Sequence, residues 1–172
     1  MQPDPEGDFR ALYESCYGHV HAYACRRLGR DGADEVAAET FAIAWRRREV
    51  VPAEPLPWLY GVARNVVLRR RTDAARQAGV RIALERERPP ACAEEDEAEE
   101  VWAAWGRLRE TKREVLALIA WEDLTVRDAA AVLGCTAAVF SVRLHRARRR
   151  FERLLAEPRP RAASRPALSE VS

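Results

Sequence analysis

Apolar residues recur along this chain with the spacing of amphipathic helices, and the strict alternation that marks β-strands is nearly absent. Three helical stripes lie in the first part of the sequence. Their members are Phe9, Leu12, Tyr13, Cys16, Val20, Tyr23 and Ala24, then Val36, Ala37, Phe41, Ala44 and Trp45, and finally Leu59, Val62, Ala63, Val66 and Val67. Three helices of this length can enclose a small core, so residues 8–75 are predicted to form one all-α domain.

The residues between these stripes predict where the helices begin and end. A first helix should end near Gly29, and residues 30–32 should form a turn before a second helix over about residues 33–48. Prolines interrupt helices, so the Pro-containing segment from Val50 to Pro55 should be a loop. Pro57 suits the first position of a third helix, because a proline there removes no helical hydrogen bond.

Composition changes after this first domain. Residues 76–98 contain Pro89-Pro90 and the acidic run 94–97, which predicts a flexible, solvated linker. Helical spacing returns over residues 99–156, and residues 157–172 are rich in Pro and Ser, as expected of a disordered tail. The predicted fold is therefore all-α, with two small helical domains joined by an acidic linker.

Three polar residues of the second domain resemble helix N-caps. Thr111 with Glu114 matches a capping box, while Thr125 and Thr136 each precede a short apolar stripe. The last two helices are joined by a tight turn around Gly134, and the second of them is rich in arginine. This layout is typical of a helix-turn-helix that reads DNA.

The final helix separates clearly into two faces. Phe140, Leu144, Ala147, Phe151 and Leu155 lie on one side, and Arg143, Arg146, Arg150 and Arg153 lie on the other. An amphipathic helix with a solvated basic face would show the same pattern. The preceding turn and helix favour DNA binding, with residues 136–141 near the bases and the later arginines on phosphates.

Charge supports a nucleic-acid module at the C-terminal end. The whole chain carries only +2, but residues 76–100 carry −4 and residues 101–156 carry +5. Lys112 is the one lysine among 29 basic residues. Arginine is favoured in planar contacts with phosphates and bases, although a GC-rich genome would produce the same bias.

The sequence gives no sign of an enzyme, because no paired carboxylates, nucleophile with a base, or phosphate-cradling glycine loop can be assembled. Cys16, Cys25, Cys92 and Cys135 have no metal-binding spacing, and His19, His21 and His145 do not complete one. We therefore expect no metal and no cofactor. No signal peptide or long apolar run occurs, so a cytoplasmic protein without membrane insertion is expected.

Two further segments suggest function. Acidic residues crowd the start of the second helix, where Glu35 and Glu39 form a ridge that either complements the helix dipole or docks a basic partner. The Pro-rich loop then leads to Trp58 and Tyr60 and on to the arginines 69–71. Aromatic rings beside arginines can stack on unpaired bases, although a tryptophan at a helix start is often part of the core.

These segments occur in an order that resembles the extracytoplasmic-function group of bacterial sigma factors, over roughly residues 8–156. The resemblance is carried by residues 34–45, by residues 57–65, and by residues 124–149. Any one of the three motifs is weak, but three in this order and spacing are specific. A stand-alone helix-turn-helix regulator with a sensing or dimerisation domain remains the alternative, together with a sigma-like protein that no longer initiates transcription.

The resemblance implies partners and roles for individual residues. The partners would be core RNA polymerase, through its β′ clamp and β subunits, promoter DNA, and an anti-sigma factor, with the linker threading through the polymerase. Core polymerase would be bound by Asp34, Glu35, Glu39, Thr40, Phe41 and Trp45. The −10 element would be melted and read by Val51, Pro52, Glu54, Trp58, Tyr60, Arg64, Asn65, Arg69, Arg70 and Arg71. The −35 duplex would be read by Arg127, Thr136, Ala138, Val139, Ser141, Val142, Arg143, Arg146 and Arg150.

The chain departs from the family pattern at several positions. Ala38 replaces a usual Gln, and residues 139–142 replace a Thr-Val-Lys-Ser run, which removes a basic and a hydroxyl contact to the −35 element. Arg109 and Asp123 stand where Pro and Gly are common.

Overall fold

The computed structural model describes residues 4–78 and 95–157, and the regular structure in these two ranges is helical. The helices are α1 Pro5–Leu28, α2 Arg30–Arg46, α3 Pro55–Ala78, α4 Glu95–Arg107, α5 Glu110–Ala120, α6 Val126–Val132 and α7 Ala137–Ala156, with a 3₁₀ turn at Arg48–Val50. No β-strand occurs in the described ranges, and the predicted all-α fold is confirmed.

Helix α1 begins and ends on local signals that the sequence contains. The Asp4 carboxylate accepts hydrogen bonds from the backbone N–H groups of Glu6 and Gly7, which caps the first turn. Gly29 ends the helix with φ of 78°, a conformation that costs glycine little. Because this single residue reverses the chain, α2 starts at Arg30, and the prediction of a turn over residues 30–32 was wrong.

The boundaries of α3 also differ from prediction. It begins at Pro55 rather than Pro57, since a proline is tolerated throughout the first helical turn. It continues to Ala78, and α4 begins at Glu95, so both ends of the predicted linker 76–98 are helical. Residues 79–94 and residues 158–172 of the predicted tail, with Cys92, lie outside the described residues.

Helices α1, α2 and α3 pack around one apolar core. Its largest fully buried side chains include Tyr23 and Tyr60, whose rings lie 5.2 Å apart. Most of the predicted stripes are buried, among them Val20, Val36 and Leu59. Trp45 departs from its predicted stripe, because its side chain is exposed at the end of α2.

The C-terminal half packs α4, α5 and α6 against α7. Thr125 and Thr136 cap α6 and α7 as predicted, each accepting a hydrogen bond from the N–H group three residues later. The predicted capping box at Thr111 was wrong, because α5 starts at Glu110 and follows an extended Arg109 that makes no side-chain cap bond. On α7, Leu154 rather than Leu155 completes the buried face.

Two turns in this half have positive φ. Gly134, in the turn of the helix-turn-helix, has φ of 63°. Asp123, between α5 and α6, has φ of 50°, which costs a non-glycine residue free energy, although aspartate tolerates it better than most. The glycine common at this position in the family is therefore explained by backbone geometry.

A buried charge cluster joins the two halves. The Arg27 guanidinium lies over the Tyr23 ring and donates to Glu114 Oε2 and Glu122 Oε1, each at 3.1 Å. Tyr23 Oη donates to Glu114 Oε1 at 3.1 Å, and Arg26 also pairs with Glu122, whose side chain is fully buried. Burial disfavours charged Arg27, but Tyr23, Glu114 and Glu122 outweigh this, so its pKa lies above the usual value.

A cleft of about 860 Å³ runs beside this cluster, between α3 on one side and α5 and α7 on the other. Arg64 and Arg71 line it from α3, while Arg143 and Arg146 line it from α7. Arginines predicted for the −10 and −35 elements therefore face the same cleft in this arrangement.

Candidate DNA-binding and protein-docking surfaces

The exposed face of α7 contains the predicted −35 readers. Phe140 and Leu144 hold the helix against the core, so the residues between them point outward. The exposed readers are Thr136, Ala138, Val139, Ser141, Val142, Arg143 and Arg146, together with Arg127 on α6. Most of the predicted set is therefore exposed on α6 and α7, and Arg143 and Arg146 also line the cleft.

Hydrogen bonds within α7 limit what its first turn can offer to DNA. The Thr136 hydroxyl accepts from Val139 N at 3.3 Å, and the Ser141 hydroxyl donates to the Ala137 carbonyl at 2.8 Å. Thr136 retains its proton as a donor, and Ser141 retains acceptor capacity. Val139 and Val142 are 42% and 50% exposed, and apolar side chains can contact the methyl group of thymine.

Arg150 differs from the other predicted readers. It is half-buried and pairs with Glu157 at 3.3 Å, and Glu157 also pairs with Arg107. The hydrogen bond from Arg107 and the charges of Arg107 and Arg150 lower the pKa of Glu157. Glu157 therefore competes with a phosphate for Arg150.

The outer ridge of α2 exposes part of the predicted polymerase-docking set. Asp34 and Glu35 are exposed and Glu39 is half-buried. Asp34 is held against α1, accepting from Tyr17 Oη at 3.3 Å and lying 3.0 Å from His21 Nε2. Burial, together with the Asp34 charge, raises the pKa of Tyr17.

Thr40 and Phe41 do not belong to this outer surface. Thr40 is 0% and Phe41 3% exposed, because both continue the buried stripe of α2 toward α1 and α3. The prediction that their side chains contact a partner directly is therefore corrected. Trp45, 37% exposed, lies at the other end of α2, where the Arg48 guanidinium stacks 4.9 Å from its ring centroid.

The predicted −10 segment is exposed only in part. Pro52 and Glu54 are exposed in the loop, and Asn65 is exposed on α3, while Val51 and Trp58 are half-buried and Trp58 packs against the core.

Tyr60 was predicted as a stacking surface and is instead 1% exposed. Contact with Tyr23 of α1 buries its ring, and burial raises its pKa to about 12. Tyr60 therefore supports the fold of this domain rather than offering a ring to an unpaired base.

The arginines at the end of the −10 set are already paired. Arg69 pairs with Glu39, and Arg70 pairs with Glu35 and lies 3.7 Å from Glu39. Arg71 pairs with Glu110 and donates to the Arg27 carbonyl at 2.6 Å. The acidic ridge of α2 and the basic end of α3 are thus in contact with each other.

Three exposed arginines next to the loop were not among the predicted site residues. Arg46, Arg47 and Arg48 follow Trp45, and Glu49 and Val50 separate them from the loop over residues 51–54. The run of three arginines was itself a signal for phosphate contact, of the kind read at residues 69–71.

Two other kinds of site are absent from the described ranges. There, no group of three or more His, Cys, Asp or Glu side chains is arranged to hold a metal ion. Over the same residues, none of the helices combines the length and the apolar character that a membrane span requires.

Comparison with known proteins gives matches in both halves of the chain. Family models described as Sigma-70 region 2 and Sigma-70, region 4 match residues 12–77 and 98–151. The chain is 31% identical, over 142 residues, to the ECF RNA polymerase sigma factor EcfG of Rhodopseudomonas palustris (strain TIE-1). That match covers 79% of this chain and 78% of the relative.

Two solved structures share the fold. The sigma factor RpoE from Bartonella quintana, solved with the anti-sigma factor NepR, has a TM-score of 0.71 at 24% identity. The match covers 88% of this chain and 99% of RpoE. CnrH, solved with the cytosolic domain of CnrY, has a TM-score of 0.60 at 27% identity, covering 88% of this chain and 89% of CnrH.

Proposed function

Since the chain belongs to the extracytoplasmic-function (ECF) family of RNA polymerase sigma factors, we propose that it binds core RNA polymerase and directs initiation at specific promoters. The observation that carries the proposal is the presence of both matched regions in one chain, each with an exposed surface suited to its role. A stand-alone regulator needs the helix-turn-helix but neither an acidic docking ridge nor a Pro-braced loop. No catalytic step is assigned to the chain itself, and it acts in the cytoplasm, where RNA polymerase works.

Docking on the polymerase uses the outer ridge of α2. Asp34, Glu35 and Glu39 present carboxylates to basic helices of the β′ clamp, and charge complementarity of this kind sets orientation and association rate. Thr40 and Phe41 contribute indirectly, because their burial sets the rotation of α2 about its axis and therefore which of its side chains face outward. Trp45 adds an exposed aromatic edge at the far end of the ridge.

Opening of the −10 element uses the loop over residues 51–54 and the exposed side chains beside it. Unpaired bases are held by stacking and by arginines along the backbone, and this capture offsets the free energy of unpairing. Asn65 offers a paired donor and acceptor, and Arg46, Arg47 and Arg48 extend the predicted set of phosphate contacts.

Recognition of the −35 element uses the outer face of α7. Arg143 and Arg146 contact phosphates or guanine edges, while Val139, Ser141 and Val142 face the bases. Because Val139 and Val142 are exposed and the hydroxyls of this helix also serve its own backbone, apolar contacts to thymine contribute to this recognition. An anti-sigma factor is a further proposed partner, by analogy with the complex of RpoE with NepR.

A loop variant tests the strand-opening role. Residues 51–54 are replaced by Gly and Ser, and thymines at the −10 element are probed with permanganate in the complex with core polymerase and promoter. We expect core binding and −35 duplex binding to be kept and permanganate reactivity to be lost. A promoter with a premelted −10 bubble is the control and should restore transcription, whereas normal opening by the variant would remove the loop from the mechanism.

A further inference from the structure

Two surfaces that the proposed function assigns to different partners neutralise each other in the structure. Glu35 and Glu39 belong to the polymerase-docking ridge, and Arg69 and Arg70 belong to the −10 DNA set. Arg69 pairs with Glu39, Arg70 pairs with Glu35, and Arg70 Nε lies 3.7 Å from Glu39 Oε2. We call these four residues the α2–α3 ion cluster.

Each member of the cluster can serve one partner well at a time. A carboxylate oxygen that accepts from arginine has less capacity and less negative potential for a cation of the polymerase. In the same way, an arginine beside a carboxylate attracts phosphate less, because the neighbouring negative charge repels the anion. Arginine stays protonated at any physiological pH, so its availability depends on its partners rather than on titration.

We propose that the α2–α3 ion cluster couples polymerase docking to DNA binding: when Glu35 and Glu39 engage a basic partner, Arg69 and Arg70 are released for the DNA backbone. This inference rests on the proposed function, and it assigns to these pairs a role beyond holding α2 against α3. Coupling between two binding sites is reciprocal, so DNA held by the arginines also strengthens docking.

Exposure limits the size of the effect. The side chains of Arg69 and Glu35 are 55% and 62% exposed, and such solvent-exposed ion pairs contribute little individually. The shared contact of Arg70 with both glutamates makes the cluster a small network rather than isolated pairs. We therefore expect a coupling of about three- to tenfold in affinity rather than an all-or-none switch.

The first experiment asks whether the free chain gains DNA affinity when the acids are neutralised. The full-length variant Glu35→Gln plus Glu39→Gln is titrated, without polymerase, against a fluorescein-labelled single-stranded oligonucleotide. Loss of two negative charges anywhere raises DNA affinity somewhat, so the matched control is Asp31→Asn plus Glu49→Gln, which neutralises two exposed carboxylates of the same region. We expect the first variant to bind about three- to tenfold more tightly than the control at equal salt.

The gain must depend on the arginines. With Arg69→Ala plus Arg70→Ala in both backgrounds, the difference in DNA affinity between the glutamine variant and the control should disappear.

The reciprocal prediction is that Arg69→Ala plus Arg70→Ala binds core polymerase, in the absence of DNA, more tightly than Arg10→Ala plus Arg76→Ala. A purely structural cluster would instead weaken both interactions when it is broken.

Two results overturn the coupling. They are equal DNA affinity of the glutamine variant and its control, or a gain that persists without Arg69 and Arg70. Either result leaves the proposed function intact if the wild-type chain binds core polymerase. Failure of the wild-type chain to bind core polymerase contradicts the proposed function instead, whatever the DNA titrations give.

Discussion

The buried charge cluster between the two halves predicts a variant that separates them. Replacing Glu114 and Glu122 by Gln leaves the Arg27 guanidinium, which is almost fully buried, without a carboxylate partner. Removing one side of a buried ion pair costs about 3–5 kcal/mol, because the remaining charge stays desolvated. Separation of the halves returns Arg27 to water and avoids this cost.

The proposed function requires such a separation. Arg64 and Arg143 line one cleft, yet the −10 and −35 elements are centred about 25 base pairs apart, or roughly 85 Å along straight B-DNA. We expect small-angle X-ray scattering of Glu114→Gln plus Glu122→Gln to give a radius of gyration several ångströms larger than that of the wild type. The exposed-pair variant Glu157→Gln should leave it unchanged. An unchanged radius together with a lowered melting temperature would refute the reasoning, since the cluster would then stabilise the fold without holding the halves together.

Two further predictions concern caps and titration. Thr125→Ala and Thr136→Ala should each lower the free energy of unfolding by about 1 kcal/mol in denaturant melts, because each removes an N-cap. Only Thr136→Ala should also alter the −35 sequence preference, measured by selection from random duplexes. Equal effects of the two variants on sequence preference would contradict the placement of α7. Burial raises the pKa of Tyr60 to about 12, whereas the pKa of an unfolded tyrosine is about 10. The neutral, buried Tyr60 side chain therefore contributes fully to the free energy of unfolding below about pH 10, and this contribution is lost as the pH rises toward 12. Thermal melts of Tyr60→Phe should therefore show a shallower loss of stability over that window than the wild type, and identical slopes would argue that Tyr60 ionises as freely in the folded chain as in the unfolded one.

Helical spacing predicted much of the architecture, because the spacing of apolar residues along one helix determines which of its faces is buried. The inward positions of α7, such as Phe140 and Leu144, follow from their separation by four residues. The caps at Thr125 and Thr136 are equally local, since each hydroxyl meets an N–H group three residues away. The predicted capping box at Thr111 was wrong, because α5 begins at Glu110, one residue earlier, after an extended Arg109.

Features that depend on distant parts of the chain could not be predicted from spacing. Tyr60 is buried because α1 supplies Tyr23 as its neighbour, and Tyr23 in turn meets Glu114, 91 residues away. The pairing of Arg69 with Glu39 likewise depends on how α3 crosses α2. The sequence therefore indicated which residues are chemically suited to each partner but not which of them are already paired or buried.

The most direct test of the central claim is in vitro transcription with core RNA polymerase and the full-length chain on a pool of genomic promoter fragments, followed by sequencing of RNA 5′ ends. We predict start sites that require the chain and share a pair of upstream motifs at the −35 and −10 positions. A set of start sites that is the same with and without the chain would contradict the account. The stand-alone regulator would then be favoured if the chain still bound specific duplexes by itself.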